Sequence, residues 1–449
     1  MCGLFPPCLT LEKPLLKQFV FIWIYRFLTL PLIVLATPVF VWRMRKRGGY
    51  AEGFVTRFGF GHSMPRKREG IQRIWLQAVS LGEMLAMEPL LLELAKDPRK
   101  EIVLTATTST GYAMAKEKYS DLAICIAYFP LDFWAFSHLA WGSIKPDLAV
   151  VAETEIWPEY LEQARKRRVK VVVVNGRLSD SGHRSMKRLA GLFRRQIGSL
   201  SRVLAGSELD GERFRSIGIL AERIDVVGNL KIDADFEPVV GLEERRVLRD
   251  AHGLGDNFIL LGASTWSGEE EVLLTALKEL RKEDPNCKLL IVPRHGERRG
   301  EIRQMLKECA GSLRYHFKSD GLPEAEVDIM VCDTHGELRV LTQLADLALI
   351  GRSLPPHREG QTPVECGALG VPIVMGAGMS NFRSIRTQLL EVGAAVQVVD
   401  RVDAVAVIVE LFGDRERRER MAVAGKVWHQ ANRGAVQRTV EAIDKELAS

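Results

Sequence analysis

The chain predicts an α/β protein of two doubly wound halves, and three observations carry that expectation. Short apolar runs rich in Val, Ile and Leu alternate with stretches of helical period from residue 74 onward. The alternation restarts after a polar, proline-containing connection at residues 235–241. The residues able to do chemistry gather where the apolar runs end, which is where open α/β sheets bind ligands. A length of 449 residues suits two or three cores. With 47% hydrophobic and 27% charged residues the composition is that of a globular protein and excludes a disordered chain.

The first element, residues 19–42, is of membrane grade. A bilayer crossing takes roughly 20 apolar residues, and this stretch reaches that length. Trp23, Tyr25 and Trp42 suit the interfaces, and Arg43-Met44-Arg45-Lys46-Arg47 follows at once. The positive-inside rule then keeps the remainder of the chain in the cytoplasm. Arg26, Pro31 and Pro38 interrupt the run, so crossing the bilayer and lying in its interface both stay open. A cleaved signal peptide is disfavoured, because no small-residue cleavage site follows. Residues 1–49 therefore read as an anchor with a basic juxtamembrane segment.

Residues 50–238 form the first α/β half. Strands are expected at 74–80, 102–107, 122–129, 148–152, 169–174, 202–205 and 224–227. Helices fall between them, among them 84–96, with Leu85, Pro89, Leu91, Leu92 and Leu94 as its period, then 109–118, 157–168 and 185–200. Residues 239–449 form the second half. Its strands are expected at 258–263, 288–292, 329–332, 347–350, 372–375 and 395–399, with helices at 243–252 and 268–280 and a last one at 433–447. Each half calls for a mostly parallel sheet, and the cleft between two such halves is the default ligand site.

The formal charge is +5, and its distribution says more than its sum. Basic clusters at 43–47, 66–68, 165–168 and 184–195 all lie in the first half. A cationic face there suits an anionic membrane surface or a phosphorylated acceptor, as well as ordinary solvated helix faces. The seven cysteines are odd in number, widely spaced and without a Cys-x-x-Cys, which argues for a reducing compartment with no disulfide framework and no zinc site.

Glu83 is the central candidate. The run from Ile74 breaks at Ser80 and Gly82, so Glu83 stands in the first turn of a helix at the carboxyl end of a strand. Unpaired N–H groups there favour its charged form, which serves a helix cap and a general base alike. Glu153 and Glu155 follow a buried run, Asn175-Gly176-Arg177 follows the next, and Lys231 stands in Gly228-Asn229-Leu230-Lys231-Ile232-Asp233. In the second half, Ser264-Thr265-Trp266-Ser267-Gly268 leads into an acidic helix start and could offer N–H groups to a phosphate. Arg294 and His295 follow a strand, and Arg294 is a phosphate or base ligand by chemistry. His335, Gly336 and Glu337 occupy another strand-to-helix turn, and Thr362-Pro363-Val364-Glu365 opens a helix from which Glu365 could meet ribose hydroxyls.

In order, Ser-Leu-Gly-Glu, Glu-Thr-Glu-Ile-Trp-Pro, Asn-Gly-Arg-Leu-Ser, Gly-Asn-Leu-Lys-Ile-Asp, Pro-Arg-His, Asp-Thr-His-Gly-Glu-Leu and Thr-Pro-Val-Glu resemble the lipid A Kdo transferases (Kdo is 3-deoxy-D-manno-octulosonic acid) from the anchor almost to the C-terminus. The resemblance implies a GT-B glycosyltransferase fold: two Rossmann-like domains facing across a cleft, the last helix crossing back to the first. It implies an enzyme at the cytoplasmic face of the inner membrane of Gram-negative bacteria. Such an enzyme moves Kdo from CMP-Kdo to a lipid A precursor, lipid IVA, with inversion, no metal and no cofactor, and CMP leaves; no nucleic acid is involved. By the same resemblance Glu83 matches the catalytic base, and Glu153 and Lys231 match positions that stabilise the transition state. Arg294, His295, His335, Gly336, Glu337, Thr362, Pro363, Val364 and Glu365 match the CMP-binding segments.

The chain departs from the family pattern in one loop. The usual Gly-Gly-Ser-Leu is Gly351-Arg352-Ser353-Leu354, the usual His-Asn is Gln361-Thr362, and the loop is one residue longer. A usual Met is His335. Two other classes therefore stay beside the first: a GT-B enzyme using a UDP-sugar, such as a lipid A disaccharide synthase or a sugar-nucleotide epimerase, and a non-catalytic membrane-bound binding protein of the same fold.

Overall fold

Strands covered on both faces read as unbroken apolar runs, and parallel sheets are built from such strands. Leu148–Ala152 and Lys288–Pro293 are buried at every position. The structure is a computed structural model, and it describes residues 13–47, 52–62, 64–234, 239–334 and 336–449. By its contacts the chain divides into two units, Met1–Ala234 with Gly434–Ser449, and Asp235–Arg433.

Unit 1 carries helices α1 (Lys13–Arg47), α2 (Leu81–Leu94), α3 (Ser109–Lys118), α4 (Trp134–Ile144), α5 (Pro158–Arg167), α6 (Asp180–Ile197) and α7 (Glu208–Ser216). Its strands are β1 (Gln72–Ala78), β2 (Lys100–Ala106), β3 (Cys125–Tyr128), β4 (Leu148–Ala152), β5 (Lys170–Gly176), β6 (Arg202–Ala205) and β7 (Ile224–Val226). They pair in parallel in the order β3-β2-β1-β4-β5-β6-β7. The order reverses between β1 and β4, which makes the carboxyl ends of those two strands the switch point of the sheet.

Alternate residues of β1 feed two cores. Trp75 packs edge-on against Trp141 of α4 and Tyr160 of α5, with ring centroids 5.0 and 4.9 Å away. Ile74 and Leu76 join the opposite core with Met84, Met87, Leu90 and Leu91 of α2. Of the expected face of α2, Leu91 and Leu94 are buried, whereas Leu85 and Leu92 are exposed and Met84, Met87 and Leu90 are buried in their stead. Apart from Glu83, Glu88 and Glu93 the residues of α2 are apolar or glycine, so its period could be read on more than one face.

The C-terminal helix (Ala435–Ala448) completes this second core with Ala435, Ala442 and Ile443. Asp233 fixes its start by accepting from the Gly434 and Val436 N–H groups at 2.8 and 2.6 Å. Lys100 pairs with Asp444, and Arg202 with Glu446 at 2.9 Å.

Helix α1 is the one helix among the described residues long and apolar enough to cross a membrane, over Phe21–Pro38. Its early part is docked on unit 1. Phe21 meets Phe193 of α6 at 4.6 Å, Tyr25 Oη donates to Asp132 at 2.7 Å, and Arg26 grips both oxygens of Glu159 at 2.8 and 3.0 Å. From Phe27 onward the large apolar side chains stand mostly exposed. The side chains of the basic run 43–47 lie outside the description.

Unit 2 repeats the plan. Its helices are α8 (Leu242–Ala251), α9 (Glu269–Glu283), α10 (Arg299–Cys309), α11 (Leu338–Thr342), α12 (Val364–Leu369), α13 (Arg383–Glu391), α14 (Arg401–Gly413) and α15 (Arg415–Asn432). Its strands are β8 (Ile259–Thr265), β9 (Lys288–Pro293), β10 (Tyr315–Phe317), β11 (Ile329–Val331), β12 (Leu347–Ile350), β13 (Ile373–Gly376) and β14 (Ala395–Val398). All pair in parallel in the order β10-β11-β9-β8-β12-β13-β14. Strand β10 is an addition to the sequence reading. Its three residues, Tyr-His-Phe, are too few to show a period, and pairing with β11 alone defines them.

Candidate active site

Glu83 is placed by the end of β1. Ser80 caps α2, and its Oγ accepts from the Glu83 N–H at 3.4 Å. The Glu83 carboxylate reaches back to accept from the Val79 N–H at 2.8 Å and from the Ser80 hydroxyl at 3.0 Å. This is a capping box shifted by one residue, and it holds the carboxylate at the switch point in a fixed orientation. Each oxygen keeps a lone pair for a proton. Burial pushes the Glu83 carboxyl above the ordinary carboxylate range; the Val79 N–H opposes it, Glu153 adds to it, and Ser80 and Lys231 pull it down.

Glu153 follows β4 in left-handed backbone, φ 53°, with its N–H on Val174 O at 2.9 Å. Such a φ costs a non-glycine residue roughly 1–2 kcal/mol, and it turns the chain sharply out of the strand. Arg177, after β5, donates to the Glu153 carboxylate at 2.9 Å. Glu155 accepts from the Trp157 indole at 2.6 Å. Burial, then the charge of Glu83, pushes Glu155 up to about 7, with the Trp157 bond opposing and Glu153 adding. Lys231 lies on a 3-10 turn, Leu230–Asp233, whose start is capped by Asn229 and whose Leu230 N–H donates to Asn175 Oδ1 at 3.2 Å. Asp233 at its end is the residue that holds the C-terminal helix. So Glu83, Glu153 and Lys231 come together in unit 1 with two neighbours beyond the expected set, Glu155 and Arg177. Both stand in the quoted motifs, and the doubled acid after a buried strand is the signal that marks Glu155.

In unit 2 the loops after β11, β9, β8 and β12 share one edge of the sheet in that spatial order. Trp266 after β8 meets His295 edge-on at 5.3 Å and His357 at 5.8 Å, and the Arg352 guanidinium lies over its ring at 4.3 Å. Glu269 is buried and ties the loops together, accepting from the N–H groups of Trp266, Arg352, Ser353 and Leu354 at 2.9, 2.7, 3.0 and 3.2 Å. A side chain at Gly351 would stand 2.0 Å from Ser264 O, so that glycine is required. Arg352 itself sits at φ 57°, glycine's region. The arginine that replaces the family glycine thus carries backbone strain and gains a ring contact.

Arg294 is fixed through its backbone, its N–H on Thr265 O at 3.2 Å. Burial and then Arg294 hold the His295 ring below its ordinary value. Gly336 stands at φ 84° with open space around it. Glu337 takes bonds from Lys318 and Thr334. Burial would raise its carboxyl, but those partners hold it below the usual range. Thr362 Oγ1 accepts from the Val364 N–H at 3.3 Å, and Pro363 is buried just before α12, with Glu365 half-buried in its first turn. Helix α11, which follows residues 336–337, touches α12, which begins within residues 362–365. His335 lies outside the described residues. Trp266, Arg352 and His357 join His295 beyond the expected donor residues; Trp266 stood in the small-residue turn after β8, and Arg352 and His357 in the loop that departs from the resembled pattern. Among the described residues no cluster of His, Cys, Asp and Glu could hold a metal ion.

A family model described as 3-deoxy-D-manno-octulosonic-acid transferase (kdotransferase) matches residues 52–234. The 3-deoxy-D-manno-octulosonic acid transferase of Haemophilus influenzae is 32% identical over 407 residues, covering 89% of this chain and 92% of the relative. That of Bordetella pertussis is 31% identical over 433 residues, covering 93% and 98%. Among solved structures, UDP-GlcNAc 2-epimerase from Neisseria meningitidis bound to UDP-GlcNAc matches with a TM-score of 0.59 at 18% identity, covering 83% of this chain and 100% of that one. That likeness is one of fold, and with the two parallel seven-stranded sheets it gives the GT-B class. Identity of this extent along nearly the whole length makes the chain a member of the 3-deoxy-D-manno-octulosonic acid transferase family of glycosyltransferases.

Proposed function

We propose that the chain transfers Kdo from CMP-Kdo to a lipid A precursor, lipid IVA, in lipopolysaccharide biosynthesis, with inversion and with Glu83 as general base. One observation carries the reading: three carboxylates, a lysine and an arginine converge on the switch point of the unit 1 sheet. A sugar hydroxyl is a poor nucleophile, so a carboxylate must take its proton as the new bond forms. Glu83 is oriented for that by its two cap bonds, and burial makes it a stronger base than a free carboxylate. The acceptor oxygen bonds to the anomeric carbon, the bond to the phosphate breaks, and CMP leaves with the electron pair. Glu153, steadied by Arg177, offsets positive charge developing on the sugar, and Lys231 offsets negative charge on the departing phosphate. Charge neutralisation falls to side chains and backbone N–H groups, so the reading includes no metal.

The donor nucleotide is assigned to unit 2. Arg294 and His295 would meet phosphate and base, the turn at His335, Gly336 and Glu337 and the start of α12 at Thr362, Pro363 and Val364 would supply backbone and hydroxyl contacts, and Glu365 would take the ribose hydroxyls. The exposed apolar part of α1 supports a membrane location, read as the cytoplasmic face of the inner membrane.

Purified protein given CMP-Kdo and a tetra-acylated precursor should yield an acceptor heavier by Kdo in a mass spectrum. The altered loop at 351–362 keeps a UDP-sugar reading alive. Stabilisation by UDP and not by CMP in a thermal-shift assay would replace the first reading with that one.

A further inference from the structure

We propose that α1 does not cross the bilayer. It is held in one leaflet, with α6 as its basic companion on an anionic lipid surface. The inference rests on the membrane-bound reading above and goes beyond it in topology.

Both ends of the apolar stretch are tied to unit 1. At the near end, Tyr25 bonds to Asp132 and Arg26 is locked to Glu159, whose side chains are 11% and 0% exposed. At the far end, the 3-10 turn Phe54–Phe58 is built into the same unit. Thr56 Oγ1 accepts from the Tyr128 N–H at 3.0 Å, buried Arg57 lies over the Tyr128 ring at 4.6 Å, and Phe58 meets Phe136 of α4 at 5.3 Å.

Length then decides the topology. From Phe27 to Trp42 a helix rises about 24 Å, short of the ~30 Å hydrocarbon core. Had it crossed, Arg47 would stand on the far side from Arg26. The connection from there to Phe54 covers about 25 Å at most when fully extended, too little to return through the core. It would also have to draw the basic run 43–47 after it. With the Arg26–Glu159 pair closed, both helix ends therefore face the same side.

The exposed surface suits immersion in one leaflet. Phe27, Leu28, Leu32, Val34 and Leu35 are exposed over roughly half the circumference of α1, a broad apolar face to lay into one leaflet. Pro31 and Pro38 supply the bends that let it bow inward. Helix α6 adds the charge. Met186, Ala190, Phe193 and Ile197 pack inward. Leu189 and Leu192 are exposed beside Arg184, Lys187, Arg188 and Arg194, an apolar edge within a cationic face. Phe193 joins that face to Phe21 of α1. Lysine and arginine side chains near an anionic surface are drawn to it.

Cys2 and Cys8 precede α1 and report which side its start occupies. The full chain carrying Cys125→Ser and Cys309→Ser, which removes the two described cysteines that are not buried, is expressed in a Gram-negative host. Spheroplasts are then treated with a membrane-impermeant maleimide. The expected result is membrane-bound protein that is unlabelled in intact spheroplasts and labelled after lysis. Labelling of intact spheroplasts would overturn the inference while leaving the membrane reading in place. Protein found only in the soluble fraction would overturn both. In Arg26→Leu/Glu159→Gln the latch is gone and no charge is left buried, so labelling from outside should appear; continued protection would reject the latch as the cause. Leu189→Ser/Leu192→Ser should bind phosphatidylglycerol vesicles several-fold more weakly, and unchanged binding would remove α6 from the proposal.

Discussion

Glu83 caps its own helix and stands where a general base is wanted, and one substitution separates the two. Gln also completes a capping box, so Glu83→Gln should unfold within about 0.5 kcal/mol of the parent while losing on the order of 10²- to 10⁴-fold in transfer rate. Ser80→Ala should cost about 1 kcal/mol through the lost cap and a much smaller share of the rate than Glu83→Gln, since the Val79 N–H still orients the carboxylate. Denaturant midpoints and initial rates read both. Glu155 gives a pH signature. Its folded-state pKa of about 7 lies above the ordinary 4.5, so the folded protein holds the extra proton. The stability this brings is present below pH 4.5 and is lost as pH rises to 7. Buried His62 has the opposite slope, for its ring is lowered to about 4 by burial and its contribution is lost as pH falls from 6.5. The comparison must therefore be with Glu155→Gln, which should gain on the parent between pH 5 and 7 in urea midpoints. At position 352, Gly should relieve the left-handed backbone but lose the ring contact, and nucleotide affinity by calorimetry tells whether the guanidinium takes part. Glu83 was legible from a strand run, a serine and a helix start, because a cap is a local arrangement. Glu153 and Lys231 were expected beside it from the resemblance alone; the company of Glu155 and Arg177 was not, because β4 and β5 meet β1 only in the folded sheet.

Among the elements, legibility followed length and burial. Strands such as β4, β6 and β12 stand at the boundaries their apolar runs imply, since a run buried on both faces ends where burial ends. Strand β10 escaped for want of residues, and the face of α2 was placed only in part, at Leu91 and Leu94, because leucines and methionines occupy several of its sides. Arg26 read as a flaw in a membrane segment and is instead the partner of a fully buried carboxylate. Removing one member alone should be costly. Arg26→Ala leaves Glu159 charged and buried, and a loss of ~3–5 kcal/mol is expected, measured by chemical unfolding in detergent. The Leu/Gln double variant, which leaves no orphaned charge, should lose much less.

For the whole molecule, the division of the chain into two units does not follow sequence order. Residues 434–449 belong by contact with unit 1, where Ala435, Ala442 and Ile443 fill the core beneath α2. A chain ending at Arg433 should therefore lose hydrogen-exchange protection in β1, β2 and α2 while β8, β9 and β12 keep theirs. Equal loss in both units would show that the last helix is not the private property of the first.

The bond from Asp233 to the start of that helix has a consequence for biogenesis. A ribosome adds roughly 5–20 residues per second, so unit 1 waits roughly 10–40 s, while all of unit 2 is made, for the piece that covers Met84, Leu90 and Leu91. The part translated first is thus finished last. Throughout that interval the nascent chain shows an uncovered greasy patch, a ready target for a holding chaperone.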